Sequence, residues 1–594
     1  MNDPACACLL KKSLRNWFAG VRRCRRRFLL AFAYMGVLVG LCLNLGENYP
    51  FSPFPMYGNP KPEDVDYFFL TDAGGNPLST QDYAGMTAPQ IKKRINSSIE
   101  ALRDSLGGDN KAEATLSEAL RGILLQLREK KFPEPKSSHP KKIDPALLAA
   151  VAKAELAKMR EDAAKKTPAL IQWPAGVQLK MGLIETTEQG FREQFRTVTE
   201  LSDAGPPTTG EHVVRPPGSA ATGMLDTMRS FGLQHAWLLG GLAVCLAALR
   251  LFPPGWRQFA LGGSDRWNTG RLEGLCLRAG LAYVMWQSLQ VRVEYSSLPK
   301  PAGLAWFDLQ WLRDAVLWFG TPEHWNSMQS WLLPMLVWYV LGWGAVVPLT
   351  VVTFTQIFAR SLYASQGAPH HGHQIIGLVF AAQMLVAWAV LAGRLWRWIR
   401  KSPAPPAPWL RWGNWSSSWL FAAATIAAAY FITVVTKLDE SNGRWIKNAH
   451  YFSNQIVKTH RQNFYNDLNP EYLKGVPAVA QESPDPDNDR YRHNIPQQAD
   501  WMLKHPLQAK VFFTLGFIME ATSLFLILSR SLALLYGVLI IAFHLLVLWL
   551  MQLTFPLNVE TVLVVCVNLP GWLIFLARRR LLSEPSGAQS TSAA

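Results

Sequence analysis

The chain has 594 residues, of which 49% are hydrophobic and only 17% charged, with 24 Trp and a net charge of +16. Soluble domains carry about 25% charged residues, so this balance argues against a purely soluble chain. It also argues against nucleic acid as a partner, because the basic residues sit in short blocks beside apolar runs rather than interleaved with stacking aromatics.

Residues 1–27 form a basic tail with Lys11, Lys12, Arg15, Arg22, Arg23, Arg25, Arg26 and Arg27, and the apolar run 28–45 follows. The run is too long for a signal-peptide core and no small-residue cleavage pattern follows, so it reads as a retained helix with a cytoplasmic N-terminus. Cys6, Cys8 and Cys24 lie in the tail, while Cys42, Cys245, Cys276 and Cys566 lie in apolar runs. None falls in a segment expected outside, which leaves no disulfide-stapled exterior and no cysteine-based zinc site.

Residues 46–235 are expected to form an outer, periplasmic domain with its linker. The segment opens with the Pro-rich 50–57 stretch, where helix is forbidden. Asp66 to Leu70 reads as a strand before a Gly-rich turn. One helix starts at Thr87-Ala88-Pro89. A second runs from about Lys111 to Lys131 with Leu116, Leu120, Ile123, Leu124 and Leu127 as its stripe, and Asp144-Pro145 opens a third. Val177 to Leu201 reads as two strands, and 205–223 as a linker rich in Pro, Gly and Thr.

The remainder, 236–577, reads as a polytopic membrane domain. Its spans are expected near 236–252, 272–291, 331–344, 346–362, 374–395, 417–436, 508–528, 532–553 and 559–577, ten with the first. Arg250, Arg257, Arg266 and Arg271, then Arg394, Arg397, Arg400, Lys401 and Arg411, then Arg530, and finally Arg578 to Arg580 in the tail 578–594, all fall on the cytoplasmic side of such a count. Residues 438–505 become a polar outer loop, irregular over 483–489. The fold class is therefore an all-α polytopic membrane protein of about ten transmembrane helices, with a small α+β or helical outer domain inserted after the first helix, in a bacterial inner membrane with both termini cytoplasmic.

Ionisable residues inside spans are costly and mark candidate sites. Lys437 ends the span after Tyr430-Phe431-Ile432. It reads either as a snorkelling lysine favoured by the helix dipole or as a desolvated base. His544 sits mid-span and serves either a neighbouring carbonyl or proton transfer. Glu520 needs a proton or a partner, with Lys437, Arg278 and His544 as the choices. His370, His371 and His373 cluster before a span, but no further ligand is identifiable, so no metal site is assigned.

Taken in order, these blocks resemble the membrane domain of the vitamin K-dependent gamma-glutamyl carboxylase family and its bacterial HTTM (horizontally transferred transmembrane) relatives, over about 272–572. The matching blocks are Leu277-Arg278-Ala279-Gly280-Leu281, then His373-Gln374-Ile375-Ile376-Gly377-Leu378. Tyr430-Phe431-Ile432 and Thr436-Lys437-Leu438-Asp439 follow, with Trp445 after, and then Phe543-His544 with Gln552 and Phe555 after. Thr436 stands where the carboxylase has a second lysine. The resemblance implies that Lys437 is the base that deprotonates a reduced quinone such as vitamin K hydroquinone, with His373 and His544 lining its site. Arg278, Tyr430, Trp445 and Glu520 are the cofactor-binding candidates beside them. Two functions stay open: a quinone- and oxygen-linked membrane enzyme, of carboxylase or epoxidase type, and a non-catalytic membrane scaffold whose outer domain binds a periplasmic protein. Membrane lipids are partners in either case.

Overall fold

The computed structural model describes residues 25–45, 51–52, 60, 65–137, 139–164, 172–187, 190–203, 236, 239–261, 270–290, 310–364, 371–401, 415–473, 475, 494–551, 553 and 555–581. The tail 1–24, residues 53–57 of the Pro-rich stretch, the linker 205–223, the segment 483–489, His370 and Gln552 lie outside them.

Helix α1 spans Arg25–Leu45 and is apolar almost throughout. An α+β unit follows. It contains β1 (Val65–Thr71), β2 (Pro77–Leu78), α2 (Thr80–Ala84), α3 (Ala88–Leu106), α4 (Asn110–Thr115), α5 (Glu118–Arg128), α6 (Pro145–Ala164), β3 (Val177–Thr187) and β4 (Gly190–Leu201). The strands form one antiparallel sheet in the order β2-β1-β3-β4. The expected strands and the first and third helices occur as read. The second expected helix is instead two, α4 and α5, because Ser117 between them accepts a hydrogen bond from the Leu120 N–H and caps a new start. A side chain that satisfies the backbone locally competes with continuing the helix.

β1 is apolar without alternation because both of its faces are covered. Phe68 and Leu70 pack with α3, α5 and α6 in one core. Tyr67 and Phe69 face the other way, and Phe69 stacks on Tyr465 with ring centroids 4.1 Å apart. Each ring so buried contributes about 1.5–3 kcal/mol. Opposite Tyr67 stands Gly182. A Cβ there would lie 2.4 Å from the Tyr67 ring, so only glycine admits this packing.

The remaining helices are α7 (Leu239–Leu251), α8 (Pro254–Leu261), α9 (Arg271–Ser288), α10 (Gln310–Trp318), α11 (Pro322–Leu341), α12 (Val346–Ala364) and α13 (Gln374–Ile399). They continue with α14 (Trp415–Glu440), α15 (Phe452–Asp467), α16 (Gln497–Lys504), α17 (Pro506–Ala521), α18 (Arg530–Met551), α19 (Pro556–Val562) and α20 (Leu569–Leu581). Among the described residues five helices are long and apolar enough to cross a membrane: Phe28–Leu45, His371–Ile399, Ser417–Glu440, Arg530–Met551 and Pro556–Arg578. Leu239–Leu251 and Val346–Ser361 are shorter apolar helices. The chain is thus a helical membrane protein carrying a small sheet.

Three segments differ from the sequence reading. The α-helix of the 508–528 run stops at Ala521 and continues as a 3₁₀ stretch, Ser523–Leu528, where the Ser523 hydroxyl donates to the Ala427 carbonyl of α14. The last run is broken by a π turn, Leu563–Val567, and by Asn568 in the left-handed region at φ 45°. The loop 438–505 is not merely a polar connection. Its α15 has an apolar stripe and buries Phe452, Ile456, Val457, Phe464 and Tyr465 against β1, β3 and the ends of α17 and α18. It was overlooked because its buried face also carries polar residues, Asn454, His460 and Arg461, that blur the periodicity. Ser79, Thr80 and the Ala88 N–H bond to Asn466 near the C-terminus of α15, fixing the α+β unit to it.

Candidate functional site

The site begins with helical spacing. On α14 Tyr430, Thr433 and Lys437 stand at i, i+3 and i+7, one stripe two turns long. On α17 Phe513, Gly516 and Glu520 repeat the spacing, and on α18 Phe543, His544, Val547 and Met551 face the same way. Together with Trp445, Phe452 of α15, Phe555, Asn558 of α19, and His371 and Ile375 at the start of α13, they enclose a cavity of about 120 Å³. Trp445, Phe452, Phe513 and Met551 also belong to the core that supports the sheet, so the α+β unit rests on the cavity's wall.

Two hydrogen-bonded acid–base pairs face this apolar space. The Lys437 ammonium forms an ion pair with the Glu520 carboxylate. Lys437 Nζ also lies 4.6 Å from the Trp445 ring centroid, a cation–π contact. Two turns lower on α14, Tyr430 Oη and His544 Nε2 share a hydrogen bond of 2.5 Å. The His544 ring is held between Tyr430, Phe543 and Phe555, with centroids 5.3 to 5.9 Å away. Its Nδ1 and the Oδ1 of Asn558 are buried and have no hydrogen-bond partner. Buried polar atoms are normally paired, so these two are unspent hydrogen-bonding capacity beside a void.

Lys437 is buried and paired with Glu520, and so is one of the three partners that the sequence left open for that carboxylate. It does not snorkel, since its side chain is about nine-tenths buried, and it is not a lone amine. In the pair Lys437 Nζ is the hydrogen-bond donor and Glu520 Oε2 the acceptor.

The structure brings Lys437, Glu520, Tyr430, Trp445 and His544 to one cavity and leaves His373 and Arg278 elsewhere. The 3₁₀ turn His371–His373 sends its two histidines to different sides. His371 lines the cavity, with Nδ1 2.8 Å from Gln374 Oε1. His373 Nδ1 is instead 2.9 Å from the Ser288 hydroxyl, in a polar cluster where Gln356 donates to both Ser288 Oγ and the His373 carbonyl, and Arg360 donates to the Ser288 carbonyl. The cavity-lining position expected of His373 is thus occupied by His371. Arg278 donates through Nε to the Val340 carbonyl at 2.8 Å and packs on Gly342, whose φ is 80°. It caps the C-terminus of α11, where a cation is favoured. Asn558 was not among the residues the sequence singled out, and His371 stood out only with His370 and His373 as a cluster to which no metal site was assigned. Asn558 had a signal, a lone amide in an apolar run, whereas nothing in the sequence distinguishes His371 from its neighbours. Among the described residues no three His, Cys, Asp or Glu side chains converge as a metal site.

No protein-family model matches the sequence, and no curated protein or solved structure matches it either.

Proposed function

We propose that the cavity binds a reduced quinone or a similar phenolic ring, and that the Lys437–Glu520 pair takes the phenolic proton. The observation that carries this reading is two acid–base pairs, Lys437–Glu520 and Tyr430–His544, set into one cavity otherwise lined by aromatic and aliphatic side chains. Ligand sites in helix bundles combine apolar walls with a few convergent polar groups. A planar ring suits the aromatic walls, and its hydroxyl suits a carboxylate acceptor. The O–H bond breaks, its proton passes to Glu520, and the phenolate left behind keeps the Lys437 ammonium as counter-ion. Low dielectric around the site makes that stabilisation larger than it would be in water. His544 Nδ1 and Asn558 Oδ1 offer a second hydrogen-bonding end. By its resemblance to the carboxylase and HTTM families, the oxidant that then meets the phenolate is molecular oxygen.

The same proposal places the chain in a bacterial inner membrane with ten spans, cytoplasmic termini and the α+β unit outside. The clustering of arginines at 394–401 and 578–580 supports this orientation. Cysteines introduced at Ser137 should react with an impermeant reagent from outside, and one at Ser264 should not. Reaction at Ser264 in intact cells would overturn the topology.

The enzymatic reading is tested by oxygen consumption of the purified chain with a series of reduced quinones, alongside quenching of tryptophan fluorescence by the oxidised forms. Turnover that requires both Lys437 and Glu520 supports it. If the rings neither bind nor turn over, the chain acts as a scaffold and the cavity proposal is lost.

A further inference from the structure

The size of the cavity limits what it can hold. Its volume is about 120 Å³. An engineered apolar cavity of about 150 Å³ takes one benzene ring, so a space of this order holds a single aromatic ring and little more. The fused second ring of a molecule such as vitamin K hydroquinone exceeds it.

How firm that limit is depends on the walls. Trp445, Phe452 and Phe513 close the side towards the α+β unit. Their ring centroids stand 4.8 to 5.9 Å apart, and all three are buried. They belong to the core that also holds Tyr67 and Phe69 of β1, so displacing one of them disturbs the support of the sheet. Phe543 on α18 differs. It is only partly buried, and it lies across Gly516 of the facing helix α17. A Cβ at position 516 would stand 3.0 Å from Phe543 Cε2. Glycine weakens a helix interior, and in the helix Pro506–Ala521 this ring supplies the packing reason for it. Gly516 and Phe543 both line the cavity. The ring therefore rests against bare backbone, and its position fixes the width of the space between the two helices.

We infer that the cavity selects a single-ring hydroquinone over a fused two-ring one, and that Phe543, seated on Gly516, is the residue that sets this limit. The inference rests on the reading of the cavity as a phenol site and narrows that reading to one class of ring. The polar groups do not make the choice, because both classes present the same pair of hydroxyls to Glu520 and His544. The difference falls on the apolar edge of the ring, where the shape of the wall decides. In a hydrophobic pocket even one methylene changes binding about tenfold or more.

The test uses the purified full chain in detergent with 2-methyl-1,4-benzenediol and 2-methyl-1,4-naphthalenediol, which differ only by the fused ring and are kept reduced under argon. Binding is measured by equilibrium dialysis against protein-free micelles of the same detergent, so that partition of the larger ring into detergent cancels. The wild type should bind the benzenediol about tenfold more tightly, or better. Phe543→Ala opens the wall and should strengthen naphthalenediol binding about tenfold, which removes or reverses the preference. Phe543→Leu keeps a branched apolar side chain in the bundle and serves if the alanine variant does not fold; it should move the ratio of the two affinities in the same direction. Gly516→Ala puts a methyl group against the ring and presses it into the cavity, so the benzenediol should bind about tenfold more weakly. Equal or tighter binding of the naphthalenediol by the wild type would overturn the inference while leaving the phenol site in place. So would an affinity ratio that substitution of Phe543 does not move, or benzenediol binding that Gly516→Ala leaves unchanged. A wild type that binds neither diol would overturn the phenol reading itself, and this inference with it.

Discussion

Two of the places where the molecule buries charged side chains treat them differently. In the α+β unit Arg94 donates to Glu155 at 2.6 Å and to Asp162 at 3.1 Å, while the Ser98 hydroxyl donates to the other Glu155 oxygen at 2.7 Å. These groups lie between α3 and α6, each in contact with a partner of opposite charge or a hydroxyl donor. In the membrane bundle the Lys437–Glu520 and Tyr430–His544 pairs border a cavity of about 120 Å³, and His544 Nδ1 and Asn558 Oδ1 remain unpartnered. The same device, an ion pair removed from water, therefore serves two ends. Saturated and close-packed, it ties helices together. Left incomplete next to a void, it is available to a ligand.

The largest effect expected from this contrast is on turnover. Lys437→Met should reduce quinol-dependent oxygen consumption by about 10²–10³-fold, the range for losing a group that stabilises charge developing in the transition state. The fold should survive, because Glu520 opens on the cavity and can take up a proton. Stability should fall by only about 1–2 kcal/mol, as for one buried polar group left unpaired. Rates and unfolding curves of the purified variant check both halves. A variant that keeps full activity removes the pair from the chemistry, and one that unfolds outright makes the pair structural.

Arg94→Met should show the opposite pattern. It removes the guanidinium that contacts the buried Glu155 and Asp162 carboxylates, and breaking a buried pair from one side costs about 3–5 kcal/mol. Denaturant unfolding should register that loss while binding of quinones to the cavity stays unchanged. Loss of binding in a still-folded Arg94 variant would mean that the two regions are coupled, and the contrast would fail.

A third variant probes the joint between them. Tyr67 Oη donates to Glu193 Oε1 at 2.7 Å, and the Arg461 guanidinium holds the same carboxylate at 3.3 Å. Tyr67→Phe removes one donor and leaves the ion pair, so a loss of about 1.5 kcal/mol is expected. The unfolding midpoint measures it. No change would show that Arg461 alone satisfies Glu193.

How legible all this was in the sequence varied with the kind of signal. The strands and the α3 and α6 helices could be read because apolar stripes and Pro or Thr starts report local geometry. Lys437, Glu520 and His544 could be flagged because a polar residue in an apolar run has a cost that demands a reason. The pairing of Lys437 with Glu520 could not be chosen over Arg278 or His544, since it depends on how α14 and α17 pack. Nor could the exchange of His373 for His371, because a single 3₁₀ turn decides which of two nearby imidazoles meets the cavity. α15 was hidden for a third reason. Its buried Arg461, His460 and Asn454 are satisfied or enclosed by the distant α+β unit, so local polarity disguised an interior helix.

His460 sharpens the contrast at its weakest point, because it is a buried titratable group on the helix packed against the α+β unit and lacks a partner on one nitrogen. Its Nδ1 is unpartnered and its ring meets Tyr472 edge to face at 5.5 Å. Burial, reinforced by the neighbouring Arg461 charge, pushes its pKa down to about 3. An unfolded chain restores a value of about 6.5. Between the two the unfolded chain binds a proton that the folded chain refuses. The stability associated with neutral His460 is therefore fully present above about pH 6.5 and is lost as the pH falls towards 3. The loss amounts to about 1 kcal/mol by about pH 6 and steepens below it. Asp66, whose pKa burial raises but Lys92 and His139 bring below the ordinary carboxylate value, adds its own loss only at more acidic pH. His460→Gln should flatten the pH dependence of the unfolding free energy between about pH 7 and 5 while leaving the more acidic limb in place. Identical slopes in wild type and variant over that window would mean that His460 takes up its proton equally in the folded and unfolded chains, and that its burial does not disfavour the charged form.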